Sequence, residues 1–328
     1  MPAMPVVASV VSFVVAFIAI RVLLSRFGHL ALDRPNERSL HEKPIPRTAG
    51  IAVLLGGALS LAFGAAELWA AFSLAGVLAA VSIADDMRGL PAWSRLLAHA
   101  LAASALVWYV LSPMDLVPMA VLIVAVVWIT NLFNFMDGSD GLAGGMALIG
   151  FGAFGAAAWL AGERGVAAGC LALAGASAAF LLHNFHPARI FLGDVGAVPL
   201  GLLAAGLGLI GWRDDLWPLS FVALVFALFI GDATVTLVRR LLRRERVWQA
   251  HRDHYYQRMV RMGLGHRRTA WLAYAAMLVC AAAALVGRVQ PPAVQAGIFA
   301  GVTVLLAAFA IWVDLRWARF QRAGQKPA

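Results

Sequence analysis

The chain has 328 residues, 62% hydrophobic and 13% charged, with a mean hydropathy of +0.82 and a formal net charge of +9. A soluble domain would carry about a quarter charged residues, so composition excludes a soluble globular protein. Two cysteines, Cys170 and Cys280, both lie in apolar runs, which excludes a disulfide framework and a cysteine metal site.

Apolar runs of about 17–25 residues recur along the chain, each long enough to cross a bilayer. In chain order they predict eleven helices, at about 5–24, 50–66, 68–84, 96–112, 117–135, 141–161, 166–183, 195–210, 217–238, 268–287 and 293–313. The first reads as a retained span, because no basic region precedes it and no cleavage site follows. The break between the second and third rests on Glu67 alone. The expected fold is an all-α polytopic membrane protein with one domain over 1–328. Gly- and Ala-rich stretches such as Gly201–Gly208 suit close helix packing in lipid.

The basic residues fall on one side. Arg21, Arg26, Arg34, Arg38, Lys43, Arg47, Arg88, Arg95, Arg189, ten arginines from Arg239 to Arg268, and Arg316, Arg319, Arg322 and Lys326 share it. Only Arg164, Arg213 and Arg288 lie opposite. This bias predicts a periplasmic N-terminus, a cytoplasmic C-terminus and cytoplasmic loops at about 25–49, 85–95, 136–141, 184–194 and 239–267. The net charge is therefore a topology signal with a share in holding membrane lipids or phosphates, and nucleic acid is not expected as a partner.

Those loops concentrate carboxylates. Asp85-Asp86 ends the third span, Asn131–Leu142 carries Asp137 and Asp140, Asn184–Gly196 carries Asp194, and Asp232 precedes the long basic loop. Carboxylates at membrane depth need a partner. Six converging with few bases would repel one another, and a divalent cation resolves that conflict. Oxygen ligands favour Mg²⁺, with Mn²⁺ as an alternative, bound by one or two carboxylates plus substrate phosphates. Asp137 and Asp140 are spaced i, i+3, so a helical turn would put both on one face. Taken singly, Asp85-Asp86 and Asp194 are weak signals that solvated loop charges also give, and Asp137 with Asp140 after two asparagines is more specific; together on one side they point to phosphate chemistry. The rival from another class is a proton- or cation-coupled transporter, which would hold its acids near the midplane of two related halves. No internal repeat is visible.

These segments, in this order, resemble the polyprenyl-phosphate N-acetylhexosamine-1-phosphate transferases of the glycosyltransferase family 4 type. Asp85-Asp86 resembles the paired aspartates, Asn131–Leu142 the Asp-Gly-x-Asp-Gly motif, and Phe191–Gly196 the Phe-x-Gly-Asp-x-Gly motif. Asp232 resembles the acid before the last loop, and Arg38–Ile51 the first cytoplasmic loop. One motif departs: the usual His-x-His-His stands here as His254-Tyr255-Tyr256-Gln257. That loop is thought to help choose the sugar. His251–Gly265 is most similar to the subgroup that starts lipopolysaccharide O-antigen synthesis.

The resemblance implies an Mg²⁺-dependent transferase of the bacterial inner membrane with its site facing the cytoplasm. Undecaprenyl phosphate would attack the β-phosphorus of a UDP-N-acetyl amino sugar and release UMP. Catalytic roles fall to Asp85, Asp86, Asp137 and Asp140, and metal binding to Asp194 and Asn134. Substrate binding falls to Asn184, Phe191 (on the uracil), His254 and Arg47. A covalent intermediate on Asp194 stays open as an alternative, as do the sugar and a homodimeric state.

Overall fold

The computed structural model describes residues 3–29, 31–35, 40–41, 43–246, 249 and 251–324. Arg38 and Lys326, counted above, lie outside the described residues. The described fold is helical apart from a two-residue antiparallel pair, β1 (Leu32–Asp33) with β2 (Ile45–Pro46). The helices are α1 (Met4–Arg26), α2 (Ala49–Ala58), α3 (Trp69–Arg88), α4 (Ala92–Leu111), α5 (Leu116–Phe135), α6 (Leu142–Ala161) and α7 (Arg164–Asn184). There follow α8 (Asp194–Arg213), α9 (Leu219–Val225), α10 (Ala227–Leu242), α11 (Tyr255–Met259), α12 (Gly265–Gly287) and α13 (Pro292–Gly324).

Among the described residues nine helical segments are long and apolar enough to cross a membrane, or ten if the bent pair α9–α10 is one span. This is fewer than the eleven expected, and two segments account for the difference. α2 continues only as a 3₁₀ turn over Leu59–Phe63 and stops at Gly64, whose φ of +82° is a left-handed conformation open to glycine. At about 1.5 Å and 2.0 Å per residue the segment reaches roughly 25 Å, short of a bilayer core of about 30 Å. The run 217–238 is not one straight helix either. It bends by 77° at Phe226, whose buried ring meets Phe133 and Phe154, each with centroids 5.6 Å away.

α8 is the central post: every residue from Val195 to Gly211 is buried. Small residues make that possible. A Cβ at Gly196 would lie 2.5 Å from the Gly50 backbone of α2, and one at Gly201 would lie 2.7 Å from the Thr130 backbone of α5. By contrast α1 and α13 expose Val10, Ile18, Val304 and Ile311, as lipid-facing helices do.

The loop after α1 folds onto the segment before α8. Pro46 accepts the amide of Phe191 (2.7 Å), Phe191 accepts that of Ala49 (3.1 Å), and Leu192 accepts that of Gly50 (3.0 Å). This clamp brings Arg47 over the N-terminus of α8. The ends of α3 and α5 and the starts of α4 and α8 then meet at one end of the bundle.

Candidate active site

Asp85 and Asp86 occupy the last turn of α3, which Gly89 terminates with a left-handed φ of +67°. Asp85 is fully engaged: one oxygen accepts the amide of Leu90 (2.6 Å) and the other accepts Arg95 Nη1 (2.9 Å). The same Arg95 nitrogen lies 4.0 Å from Asp194. Asp86 is held by Arg47 through one oxygen at 2.9 Å. Asp194 is the first residue of α8, where the helix N-terminus favours negative charge. Asp137 stands in the turn after α5 and accepts the amide of Gly193. Burial, with the charge of Asp194 beside it, pushes the Asp137 carboxyl well above the usual carboxylate range, against that hydrogen bond. Asn134 is half-buried one turn earlier, and its carbonyl accepts the Asp137 amide at 3.2 Å.

Four carboxylates from three segments thus come together, and three of them, Asp85, Asp86 and Asp194, share two arginines. Among the described residues no group of three or more His, Cys, Asp or Glu is close enough to hold a metal ion by itself. The donor set still fits Mg²⁺. Asp137 and Asp194 are hard oxygen donors lying together with no closer arginine among the described residues than Arg95, 4.0 Å from Asp194, and Mg²⁺ takes one or two protein carboxylates with the rest from water and phosphate.

The other two acids do not join this cluster, so the expected convergence of six aspartates is not what the fold builds. Asp140 is buried and accepts His186 Nδ1 (2.6 Å) and the amide of Ala188 (3.1 Å). His266 of α12 lies 3.7 Å from its other oxygen and stacks on His186 at 5.3 Å. Residues 137–141 form a turn rather than a helical turn, so the i, i+3 spacing sends Asp137 and Asp140 to different partners. Asp232 accepts the amides of Tyr255 (2.9 Å) and Tyr256 (3.1 Å) and lies 3.1 Å from His254 Nδ1.

Asn184 is a strut. Its carbonyl oxygen accepts the amide of Gly141 (2.8 Å) and its nitrogen donates to the carbonyl of Ile190 (3.0 Å), joining the two aspartate-bearing loops. Phe191 meets His41 edge-on at 5.1 Å beside the same cluster. His254 is buried, stacked on Tyr256 at 5.8 Å and on Phe135 at 6.4 Å.

Sequence comparison agrees with the geometry. The family profile for glycosyl transferase family 4 matches residues 68–211. The chain is 33% identical over 306 residues to the decaprenyl-phosphate N-acetylglucosaminephosphotransferase of Mycolicibacterium smegmatis, covering 78% of this chain and 74% of that one. It is 28% identical over 290 residues to a probable undecaprenyl-phosphate N-acetylglucosaminyl 1-phosphate transferase of Bacillus subtilis, covering 81% of each. It is also 38% identical over 125 residues to the phospho-N-acetylmuramoyl-pentapeptide-transferase of Chloroflexus aggregans, covering 38% of this chain and 32% of that one.

The chain belongs to glycosyl transferase family 4. It is an enzyme, a membrane sugar-1-phosphate transferase. In this family 4 transferase the profile spans all four clustered aspartates, while Arg47, Asp232 and His254 lie outside it. Arg95, in the sequence one basic charge among those on its side, ties Asp85 towards Asp194. Its signal was a lone arginine opening an otherwise apolar helix ten residues after Asp85. His266 was missed for the same reason, as one base among ten arginines.

Proposed function

We propose that this enzyme moves N-acetylglucosamine-1-phosphate from UDP-N-acetylglucosamine to a polyprenyl phosphate, undecaprenyl phosphate in a bacterial inner membrane. The observation that carries the reading is the cluster of Asp85, Asp86, Asp137 and Asp194 under Arg47 and Arg95, at helix ends beside the N-terminus of α8. The relatives in Bacillus and Mycolicibacterium are named for that sugar and for prenyl acceptors. An apolar cavity of about 300 Å³ at the α9–α10 bend, lined by Trp128, Leu209, Val222 and Ile230, suits an isoprenoid chain. The one-sided charge supports a cytoplasmic site, and the His251–Gly265 likeness supports O-antigen initiation as the pathway.

In this scheme an oxygen of the acceptor phosphate attacks the β-phosphorus of the donor. The bond from that phosphorus to the bridging oxygen breaks, and UMP leaves. Arg47 and Arg95 offset the charge of two approaching anions. Asp86 has an oxygen free of Arg47, so it is better placed than Asp85 to take the residual proton of the acceptor phosphate. Asp85 anchors Arg95. Asp194 and Asp137, with Asn134 nearby, would hold Mg²⁺, which supplies charge neutralisation on the diphosphate. Phe191 offers a ring face to the uracil, and Asp140, Asn184 and His254 act by holding the loops that frame the donor.

The test is detergent-purified protein with undecaprenyl phosphate, Mg²⁺ and a panel of UDP-N-acetyl sugars. UMP release and a lipid-diphosphate-sugar with UDP-N-acetylglucosamine are expected. Release only with a galacto- or 6-deoxy amino sugar would overturn the sugar. No UMP release with any UDP-N-acetyl sugar would overturn the proposed donor class.

A further inference from the structure

The basic loop meets the aspartate cluster at one buried side chain. Tyr256, at the start of α11, donates its phenol to the carbonyl of Phe135 (3.1 Å), the last residue of α5. The same oxygen covers Gly138 so closely that a Cβ there would overlap it. Between these two points lie only Met136 and Asp137. The turn is also held at its far end, where Tyr274 donates to the carbonyl of Gly141 (2.7 Å) and Asn184 accepts the Gly141 amide (2.8 Å). The Asp137 amide is bonded to the Asn134 carbonyl and its carboxylate accepts the Gly193 amide, so the Tyr256 phenol is one of the grips that set the direction of that carboxylate.

Tyr256 is itself fixed from two sides, one of them braced in turn. Asp232 accepts its amide, the His254 ring stacks on it, and Gln257 caps the amide of His254 at 3.2 Å. Its neighbour Tyr255 reaches Asp314 of α13 (3.3 Å), which also pairs with Arg239 (2.8 Å) and Arg258 (3.0 Å). A path of direct contacts therefore runs from the last helix through α11 to the turn bearing Asp137.

We propose that Tyr256 is a positioning residue for Asp137, through which the basic loop and α13 set the geometry of the aspartate cluster. This rests on the reading of that cluster as the transfer site. A displacement of about 1 Å at a reacting group can cost on the order of 100-fold in rate, so one phenol gripping the turn has kinetic weight.

The experiment compares wild type, Tyr256→Phe, Gly138→Ala and the double variant, by steady-state UMP release and by unfolding midpoint in detergent. Tyr256→Phe should lower kcat about 5- to 10-fold, with KM for the UDP-sugar within about twofold. Gly138→Ala should lose at least as much, because its methyl collides with the phenol oxygen. The double variant should recover activity over Gly138→Ala, since removing that oxygen leaves the next ring atom 3.3 Å from the new Cβ. An unchanged kcat in Tyr256→Phe, or no recovery in the double variant, overturns the proposal and leaves the transfer reading standing. If wild type releases no UMP from any donor, the transfer reading falls instead, and the contact is judged on the midpoints. Gly138→Ala should then lower the midpoint more in wild type than beside Tyr256→Phe, and equal shifts would overturn it.

Discussion

The two acidic regions at this end of the bundle are built on opposite plans. At the cluster of Asp85, Asp86, Asp137 and Asp194, three of the four carboxylates share two arginines, and Asp137 is held against the charge of Asp194. At Asp232, one carboxylate meets two amides and a histidine ring nitrogen in a buried cap. The first arrangement leaves negative charge for a cation and its phosphates to answer. The second leaves little unanswered. Like residues in neighbouring loops thus divide between chemistry and architecture: Asp232 is met from three groups, while Asp137 and Asp194 keep acceptor capacity, and Asp85, held by Leu90 and Arg95, is the structural member within the cluster.

Substitutions should separate the two plans. The largest effect belongs to the cluster. Asp194→Asn and Asp86→Ala should each reduce UMP release by about 10³-fold or more, as for loss of a group acting on the reacting phosphates, with an unchanged unfolding midpoint. Next comes Asp232→Ala, which strands two buried amides and His254 and should destabilise by roughly 2–4 kcal/mol. Its midpoint should fall, and its remaining folded fraction should retain measurable turnover. Asn184→Ala breaks the strut between the two loops and should cost about 1–3 kcal/mol, read as a lower midpoint with a raised KM for the donor.

A smaller effect is a pH dependence of the basic loop. Burial, with His254 and Arg240 nearby, pushes His251 down to about 4. A histidine depressed on folding resists a proton that the unfolded chain accepts near 6.5, so its stability contribution is complete above that pH. It is lost as pH falls from about 6.5 towards 4. Unfolding midpoints measured across that window should decline, and His251→Gln should flatten the decline.

Much of this was legible beforehand, for identifiable reasons. Membrane spans follow from run length, and the four clustered aspartates from their place at helix ends. The fates of Asp140 and Asp232 were not legible. Asp140 turns away because Gly141 is left-handed at φ +78° and Asn184 ties that turn to the loop bearing His186. No local pattern shows such a cross-link over 43 residues. The 77° bend at Phe226 was hidden too, since neither Gly nor Pro marks it and aromatic packing from α5 and α6 sets it. The shortness of the α2 segment hung on Gly64, a residue that in lipid-embedded sequence is as often a packing surface as a stop.

The central claim is that the acids of the cluster, and not the acid of the loop, carry the transfer. Its most direct test is Mg²⁺-dependent UMP release from UDP-N-acetylglucosamine and undecaprenyl phosphate by Asp194→Asn and Asp232→Asn, per folded molecule. Asp194→Asn should be inactive while Asp232→Asn retains turnover at a lowered unfolding midpoint. Turnover near wild type in folded Asp194→Asn, with none in folded Asp232→Asn, would contradict the account.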